Sequence, residues 1–424
     1  GHTLVYARFP LKTILWYNNT EPILGQYKSL DTEMDTLFPT SSPLLDRLQS
    51  QLGDLMAVER AEVQAGGAEP VFAFYGRLYD DPDRAFERIS ERFAALGYTA
   101  LLSREKNMYR VVAVRGVVRA QAPRPWVNLV LFLATLLTVM LAGAAPQPGG
   151  TLLGALLSGL PFAVALMTIL LAHELAHYFV ARRYGSPVSL PYFVPMPLSI
   201  LGTMGAVIFQ RAPVRDRKAL FDIGIAGPLA GFIVAVPLLL LGLLFTRVGR
   251  PSDFLPPEEQ TAVVYQEGNS LLYLAAKYLI YGRILPDRAT GEDVWLSLPV
   301  SPGGPVAFAA WAGLLVTALN LLPIGQLDGG HVAYALLGRR AWKLAYLAIG
   351  LLIALGMYLW VMDNPAWPTW VIWAILGLLL GPRHPPPLND ASRLGPKRTI
   401  LGILLIIIWI ITFVPVPLMV VPVR

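Results

Sequence analysis

The hydrophobic positions of this chain form long unbroken runs from residue 126 onward and short patterned stretches before it. A run of about 20 apolar residues is long enough to cross a bilayer as a helix. The runs predict about seven transmembrane spans, near residues 126–145, 154–180, 219–245, 305–325, 341–361, 367–381 and 399–420. The pattern therefore predicts a polytopic α-helical membrane protein.

One apolar stretch, 188–210, does not fit a helix, because it holds three prolines and two glycines. Proline removes a helical hydrogen bond and clashes with the preceding turn. Irregular backbone is tolerated at membrane depth only where protein covers it or where it lines a wet cavity. We therefore expect a re-entrant β-like loop that enters and leaves the bilayer on the same side.

The patterned stretches before residue 126 predict a small soluble α/β domain. Asp81 begins a helix as a capping residue, with a proline and an acid directly after it. Strands are predicted at 71–78 before this helix, and at 98–104 and 108–114 after it. Because the stretch carries no catalytic motif, we expect 42–125 to be a cytoplasmic regulatory domain.

The remaining boundaries follow from the same pattern. Residues 1–41, which begin Gly1-His2, are expected to be a tag-derived or poorly structured segment. Residues 126–385 form the predicted catalytic membrane core, with an external loop at 246–304. Residues 386–424 are a predicted cytoplasmic linker followed by a C-terminal transmembrane helix.

Composition supports the membrane interpretation and excludes thiol chemistry. Hydrophobic residues make up 55% of the chain and charged residues 15%, against about 25% charged in soluble proteins. There is no cysteine, so disulfides, cysteine metal sites and thiol nucleophiles are excluded. The bilayer is thus an expected partner, whereas the oligomeric state cannot be inferred.

The net charge of +6 is explained by topology rather than by a nucleic-acid partner. Arginine and lysine gather in the loops on one side of the predicted spans, and the loop 246–304 on the other side leans acidic. The positive-inside rule then places the N-terminal domain in the cytoplasm. We expect an integral protein of a bacterial cytoplasmic membrane.

The candidate chemistry lies in a His-Glu-x-x-His pattern within the second predicted span. His173 and His177 are four residues apart, so both rings lie on one helix face and can reach one metal ion. Glu174 is placed to take a proton from a water held by the metal and to pass it to a leaving amine. A chance match would leave these groups in hydrocarbon, where a charged residue costs about 2.5–3.5 kcal/mol.

Catalytic zinc generally needs a third protein ligand. Asp328 is the candidate, because it follows the fourth span at a depth similar to that of the histidines and lies among helix-breaking residues. His331 is a rival ligand. Asn320 either hydrogen-bonds the substrate backbone or an oxyanion, or is a buried amide satisfied by a neighbouring helix.

The histidine pattern in a membrane helix, followed far along the chain by Asn-x-x-Pro-x-x-x-x-Asp-Gly, resembles the site-2 protease family of intramembrane zinc metalloproteases. The resemblance covers roughly residues 126–385. It implies zinc-dependent hydrolysis of a peptide bond in or near a transmembrane segment of membrane-protein substrates. The implied roles are Zn²⁺ ligation by His173, His177 and Asp328, and general-base catalysis by Glu174.

The resemblance also concerns the substrate. The stretch from Gly202 to Ala206 resembles the family's re-entrant segment beside the active site, and 226–231 resembles its small-residue helix motif. An unwound substrate helix would then lie as a strand along 202–207. Gly202, Gly205 and Asn320 are accordingly the candidate substrate-binding residues.

Two short motifs are similar to those of the branch named for ethylene-dependent gravitropism-deficient, yellow-green plants. They are Tyr75-Gly76-Arg77-Leu78 and Gly268-Asn269-Ser270. Many bacterial members carry a PDZ domain on the outer side, but the loop 246–304 is too short for one. The resemblance therefore favours this PDZ-free branch.

Three other functions fit parts of the pattern. An ion transporter also uses broken helices and buried ionisable groups, although no internal repeat relates the halves of the chain. A zinc-binding but non-proteolytic scaffold would use the N-terminal domain as its working part. A haem protein with two histidine ligands is disfavoured, because His173 and His177 crowd one side of one metal.

Overall fold

The computed structural model describes residues 43–66, 69–116, 125–144, 151–250, 263–285, 295–296, 298 and 301–422. The chain divides into two compact units. Of the described residues, the first unit comprises those up to 116 together with 211–220 and 383–395, and the second comprises the rest. The predicted segment 1–41 and a large part of the loop 246–304 lie outside the described residues.

The first unit is a four-stranded antiparallel sheet with strand order β1-β2-β4-β3. Its elements in chain order are α1 (Pro43–Ser50), β1 (Met56–Gly66), β2 (Glu69–Leu78), α2 (Pro82–Ala95), β3 (Tyr98–Glu105) and β4 (Met108–Arg115). Helix α2 begins as expected, with the Asp81 carboxylate accepting a hydrogen bond from the backbone N–H of Asp83 at 3.0 Å. Its apolar face, which includes Phe86, Ile89 and Phe93, is buried in the core of the unit.

Two later segments of the chain complete this unit. Asn389 forms parallel bridges with Leu102 of β3 and with Asp216, and its side chain donates to Asp83 at 3.0 Å. The ammonium of Lys218 lies 2.5 Å from the same carboxylate. The observed unit thus extends beyond the predicted domain 42–125, because segments 211–220 and 383–395 form hydrogen bonds and an ion pair with its residues.

The second unit is mainly helical. Its helices are α3 (Pro125–Ala142), α4 (Leu152–Ser158), α5 (Leu160–Arg183), α6 (Arg217–Leu244, of which the first four residues belong to the first unit), α7 (Leu271–Tyr281), α8 (Gly304–Asn320), α9 (Asp328–Leu337), α10 (Arg340–Val361), α11 (Trp367–Leu379) and α12 (Pro396–Thr412). Its strands are β5 (Tyr192–Pro195), β6 (Thr203–Val207), β7 (Val248–Gly249), β8 (Val263–Glu267), β9 (Trp295–Leu296) and β10 (Leu418–Pro422). They pair as three two-stranded sheets, β5 with β6, β7 with β9, and β8 with β10.

Four helices of the described residues are long and apolar enough to cross a membrane, namely α3, α5, α6 and α10. They account for four of the seven predicted spans. The other three predicted spans coincide with shorter helices, α8 with 17 residues, α11 with 13 and α12 with 17. The protein is therefore a polytopic membrane protein, with a minimum of four candidate spans by length and composition.

Helix α5 lies inside the second unit and packs closely against α8. Of the four long apolar helices, α5 has the largest buried share, and its residues Phe162, Leu166 and Ile169 are almost inaccessible. A Cβ at Gly313 of α8 would lie 2.8 Å from the Ile169 side chain, so this glycine permits the close approach.

The stretch 188–210 forms a β-hairpin rather than a helix. Tyr192 pairs with Val207 and Phe193 with Ala206, so that β5 and β6 run antiparallel. Helix α3 holds the hairpin through side-chain donors. The Asn128 amide donates to the carbonyl oxygens of Leu190 and Pro191 at 3.0 and 2.8 Å.

The Gly268-Asn269-Ser270 motif organises the start of α7. The Gly268 carbonyl accepts from the Trp311 indole at 2.8 Å, and the Ser270 hydroxyl caps α7 by accepting from the N–H of Tyr273. The Asn269 side chain accepts from the fully buried ammonium of Lys277 at 2.9 Å. The motif thus supplies hydrogen-bond partners to polar groups that are buried from water.

Candidate metal site and adjacent hairpin

His173 and His177 lie on the buried face of α5, one helical turn apart. Both are less than one-tenth exposed, and their ring centroids are 4.9 Å apart. Their Nε2 atoms are separated by 3.2 Å. Two ring nitrogens thus face one point, as the four-residue spacing predicts.

Asp328 brings a carboxylate to the same point. Its Oδ2 lies 3.1 Å from Nε2 of His173, and its Oδ1 lies 3.2 Å from Nε2 of His177. Zinc ligated tetrahedrally at about 2.0–2.1 Å would separate its donors by about 3.3 Å. The donor types, two imidazoles and one carboxylate, also suit zinc. The three side chains therefore fit a zinc ion in both spacing and chemistry.

Glycines in the connection between α8 and α9 aim Asp328 inward. Asp328 is the first residue of α9, which starts after an extended residue, Leu327. A Cβ at Gly329 would lie 2.0 Å from the Leu321 carbonyl oxygen, and one at Gly330 would lie 2.2 Å from the Gly325 carbonyl oxygen. Only glycine allows the connection to fold back so tightly onto the start of α9.

The second nitrogen of His177 is fixed by the backbone of α6. Its Nδ1–H donates to the buried carbonyl oxygen of Ile223 at 2.7 Å. A histidine that donates from Nδ1 keeps the Nε2 lone pair free for a metal, and such partners orient metal-binding rings. This carbonyl was not foreseen, because no sequence pattern marks a backbone acceptor from another helix.

Helix α6 passes directly over the two imidazole rings. A Cβ at Gly227 would lie 2.1 Å from Nε2 of His177 and 2.7 Å from Cδ2 of His173. A Cβ at Gly231, one turn further on, would lie 3.2 Å from Nδ1 of His173. The small-residue motif 226–231 therefore lies directly against the two histidine side chains, in addition to packing helices together.

The three remaining polar candidates are Glu174, Asn320 and His331, which lie on α5, α8 and α9. Glu174 follows His173 on α5 and is buried, but within the described residues it is not part of the three-residue donor cluster. Asn320 is the last residue of α8 and is half-buried. His331 lies one turn after Asp328 on α9 and also falls outside the cluster.

The two glycines predicted to bind substrate lie in the hairpin. Gly202 has φ +73° and Gly205 has φ +94°, backbone conformations that favour glycine. A Cβ at Gly202 would lie 2.3 Å from the Thr138 carbonyl oxygen, whereas a Cβ at Gly205 would meet no atom within 4 Å. Gly202 is thus needed for packing against α3, while Gly205 lies beside open space in β6, a strand that packs against α5.

Comparison with known proteins identifies a family whose sequence model covers this region of the chain. The sequence model of peptidase family M50 matches residues 161–361, a stretch that includes all three donors. The chain is 30% identical over 406 residues to the probable zinc metalloprotease EGY2, chloroplastic, of Oryza sativa subsp. indica, covering 90% of this chain and 68% of the relative. It is 32% identical over 262 residues to the probable zinc metalloprotease EGY1, chloroplastic, of Arabidopsis thaliana, covering 61% and 43%. No solved structure matches.

These relatives contradict the expected bacterial cytoplasmic membrane, because they are plant proteins named chloroplastic. The prediction was wrong because loop charges report orientation across a bilayer and carry no information about which bilayer it is. The integral membrane character is retained. The implied zinc cofactor and the protease function are both confirmed.

The family match, the relatives and the apolar helices lead to one assignment. The chain belongs to peptidase family M50, the site-2 protease family, as a zinc-dependent intramembrane protease of the EGY-like branch that acts on membrane substrates.

Proposed function

We propose that His173, His177 and Asp328 are the ligands of the catalytic zinc. The observation that carries this proposal is the convergence of three donor groups, the two Nε2 atoms and the Asp328 carboxylate. The Nε2 atoms are 3.2 Å apart, and one carboxylate oxygen lies 3.1 Å from His173 while the other lies 3.2 Å from His177. These side chains are at most 14% exposed. Burying such groups without a compensating ligand is costly, so their convergence favours a metal.

The proposed role of Glu174 follows from its position directly after His173 in α5, where both side chains are buried. Bound zinc would polarise the scissile carbonyl and lower the pKa of water, as in other zinc hydrolases. The Glu174 carboxylate accepts a proton from the attacking water and delivers it to the leaving amine. Because Glu174 lies outside the donor cluster, its carboxylate is available for this proton transfer.

The proposed substrate platform is β6. Within the described residues β6 pairs only with β5, which leaves its other edge free for a further strand. Met204 and Val207 are 67% and 46% exposed, so side chains of this strand are accessible. An unwound segment of a substrate helix would add to this edge through backbone hydrogen bonds. Asn320 would then donate to the substrate backbone.

The platform can be tested by Gly205→Val. A Cβ there meets no atom of the protein within 4 Å, but residue 205 lies in β6 at φ +94°. A valine should therefore strain β6 and crowd the edge where substrate is proposed to bind, so cleavage should fall at least roughly tenfold with zinc content unchanged. Gly97→Val is the matched control, because Gly97 also has positive φ and open space but lies in the first unit. Full cleavage by Gly205→Val would contradict the strand-addition proposal.

We further propose that α8, α11 and α12 cross the membrane in addition to the four longer helices, giving seven spans. Their apolar sequences and their packing beside α5 and α10 support this. The hairpin β5-β6 would then be re-entrant. The chloroplastic relatives support a chloroplast membrane as the location. Residues 43–116 would serve as a regulatory domain.

The ligand assignment is tested by zinc content. Asp328→Asn should leave the purified protein with little zinc, because an amide is a poor zinc ligand. His331→Gln should retain zinc, since His331 lies on the same helix but outside the donor cluster. The opposite result, with zinc lost only in His331→Gln, would make His331 the third ligand and contradict the proposal.

A further inference from the structure

Three side chains form a hydrogen-bonded ion cluster in the second unit, the Arg398 cluster: two lie on helices α6 and α12, and one follows the last residue of α5. Arg398, near the start of α12, binds Asp222 of α6 with two parallel bonds, Nε to Oδ1 at 2.8 Å and Nη2 to Oδ2 at 2.7 Å. Tyr184, at the C-terminal end of α5, donates its hydroxyl to the same carboxylate and accepts from Arg398 at 3.2 Å. The cluster thus joins the ends of α5, α6 and α12.

This cluster is directly next to the partner of a proposed zinc ligand. Asp222 is followed by Ile223, whose carbonyl oxygen accepts the hydrogen bond from Nδ1 of His177 at 2.7 Å. His177 lies in the final turns of α5, and Tyr184 is the residue that directly follows the helix. The same two helices are therefore joined twice, once by the cluster and once by the bond that orients the imidazole.

The geometry points to Arg398 as a positioning residue for the zinc site. We propose that its paired bonds to Asp222 fix α6 against α5, so that the Ile223 carbonyl stays opposite Nδ1 of His177. This inference rests on the proposed role of His177 as a zinc ligand. Arg398 acts through the backbone of α6 and does not touch the metal ligands itself.

The strength of the cluster makes this role physically reasonable. A bidentate bond between a guanidinium and a carboxylate is strong and fixes direction as well as distance. Both side chains are about three-quarters buried, at 28% and 25% exposure, so water screens the pair less than on an open surface. A slip of about 1 Å between α5 and α6 would stretch the bond to Ile223 beyond hydrogen-bond range.

The family sequence model does not extend to Arg398. The matched stretch ends at residue 361, whereas Arg398 lies on a later helix. The positioning role therefore adds α12 to the elements that build the metal site.

The test is the binding of cobalt(II), a spectroscopic substitute for zinc, to the full chain in detergent. Arg398→Gln should weaken cobalt binding about tenfold and shift the d–d absorption bands, because loss of a supporting partner typically costs about 10- to 100-fold in metal affinity. Lys397→Gln is the matched control, since Lys397 is the neighbouring exposed cation on α12. It should bind cobalt as the wild type does.

Each outcome separates the alternatives. Wild-type affinity and an unshifted spectrum in folded Arg398→Gln would overturn the positioning role, since a merely stabilising residue changes unfolding and not ligand geometry. Absence of cobalt binding by the wild type would instead contradict the proposed site itself. If Arg398→Gln does not fold, Tyr184→Phe decides: it removes only the hydroxyl and should still shift the bands, and an unshifted spectrum would overturn the inference.

Discussion

Gly227 is the residue that allows α6 to cross directly over the two imidazole rings. A Cβ there would lie 2.1 Å from Nε2 of His177, the atom that faces the other two donors. Gly227→Ala should therefore weaken zinc binding by roughly 10- to 100-fold, because overpacking of about 1–3 kcal/mol would displace the proposed ligands themselves. Zinc affinity of the purified protein, measured by competition with a chelator, checks this.

Gly350→Ala is the matched control for that substitution. Gly350 also lies inside a long apolar helix, α10, but a Cβ there meets no atom within 4 Å. The control should bind zinc like the wild type and should be slightly more stable, because alanine has the higher helix propensity. Equal zinc affinity in both variants would contradict the close crossing of α6 over the site.

The proposed chemistry of the site also depends on residues outside the proposed ligand set. His177 needs the Ile223 carbonyl to fix its tautomer, and Asp328 needs Gly329 and Gly330 to turn inward. Three polar side chains without these supports would be a destabilising group in an apolar interior. The supporting residues thus allow three buried polar side chains to converge, as the proposed zinc site requires.

At the level of elements, α3 holds the hairpin on which substrate is proposed to lie. The Thr138 hydroxyl donates to the Gly202 carbonyl oxygen at 2.7 Å, at the turn that leads into β6. Thr138→Val removes this bond with little change of shape, and a net hydrogen bond is worth about 1 kcal/mol. We expect KM for a membrane substrate to rise about fivefold while zinc content stays the same.

The same helix supplies the control. The hydroxyl of Thr135 is buried and has no hydrogen-bond partner among the described residues. Thr135→Val should therefore leave KM unchanged and should stabilise the fold slightly, since it removes an unsatisfied polar group. If Thr138→Val left KM unchanged, as Thr135→Val is expected to do, the result would contradict the proposal that α3 holds the hairpin as a substrate platform.

A second prediction at this scale concerns the first unit. Arg92 of α2 binds the Asp54 carboxylate through two bonds, at 2.5 and 2.8 Å, and this lowers the pKa of Asp54 to about 2. A lowered carboxyl pKa stabilises the fold above the ordinary value of about 3.9, and the contribution is lost as the pH falls toward 2. The pair is exposed, so the effect is modest.

Hydrogen exchange within residues 43–116 of the full chain measures this effect. Asp54→Asn should lower protection relative to the wild type at pH 5, and the difference should shrink at pH 2.5. Glu91→Gln, which changes an exposed carboxylate of α2, should show the same protection as the wild type at either pH. A difference between Asp54→Asn and the wild type that is independent of pH would contradict the role of the ion pair.

For the molecule as a whole, the parts that depend on local sequence were predictable. The three predicted strands and the predicted start of α2 lie within about two residues of β2, β3, β4 and α2, because capping and periodicity are local signals. The spacing of His173 and His177 likewise fixed two donors in advance. Asp328 could be inferred only as a candidate, since its convergence with them depends on how α8 and α9 pack.

The parts that depend on tertiary contacts were not predictable. Three features arise from contacts between elements that are distant in sequence. They are the clash that requires glycine at residue 227, the acceptance of a hydrogen bond by the Ile223 carbonyl, and the pairing of Arg398. The last predicted span, 399–420, also differs from the structure, where α12 ends at Thr412. Pro415 and Pro417 explain this end, because proline cannot continue a helix.

The central claim is that Glu174 transfers protons at a zinc held by His173, His177 and Asp328. Paired measurements of zinc content and of cleavage of a reporter transmembrane segment test it, on the wild type and Glu174→Gln. We predict equal zinc in both proteins and a loss of cleavage of at least about 100-fold in Glu174→Gln, in line with the removal of a general base. Equal cleavage by both would contradict the role of Glu174, and a wild type that binds no zinc after reconstitution would contradict the site.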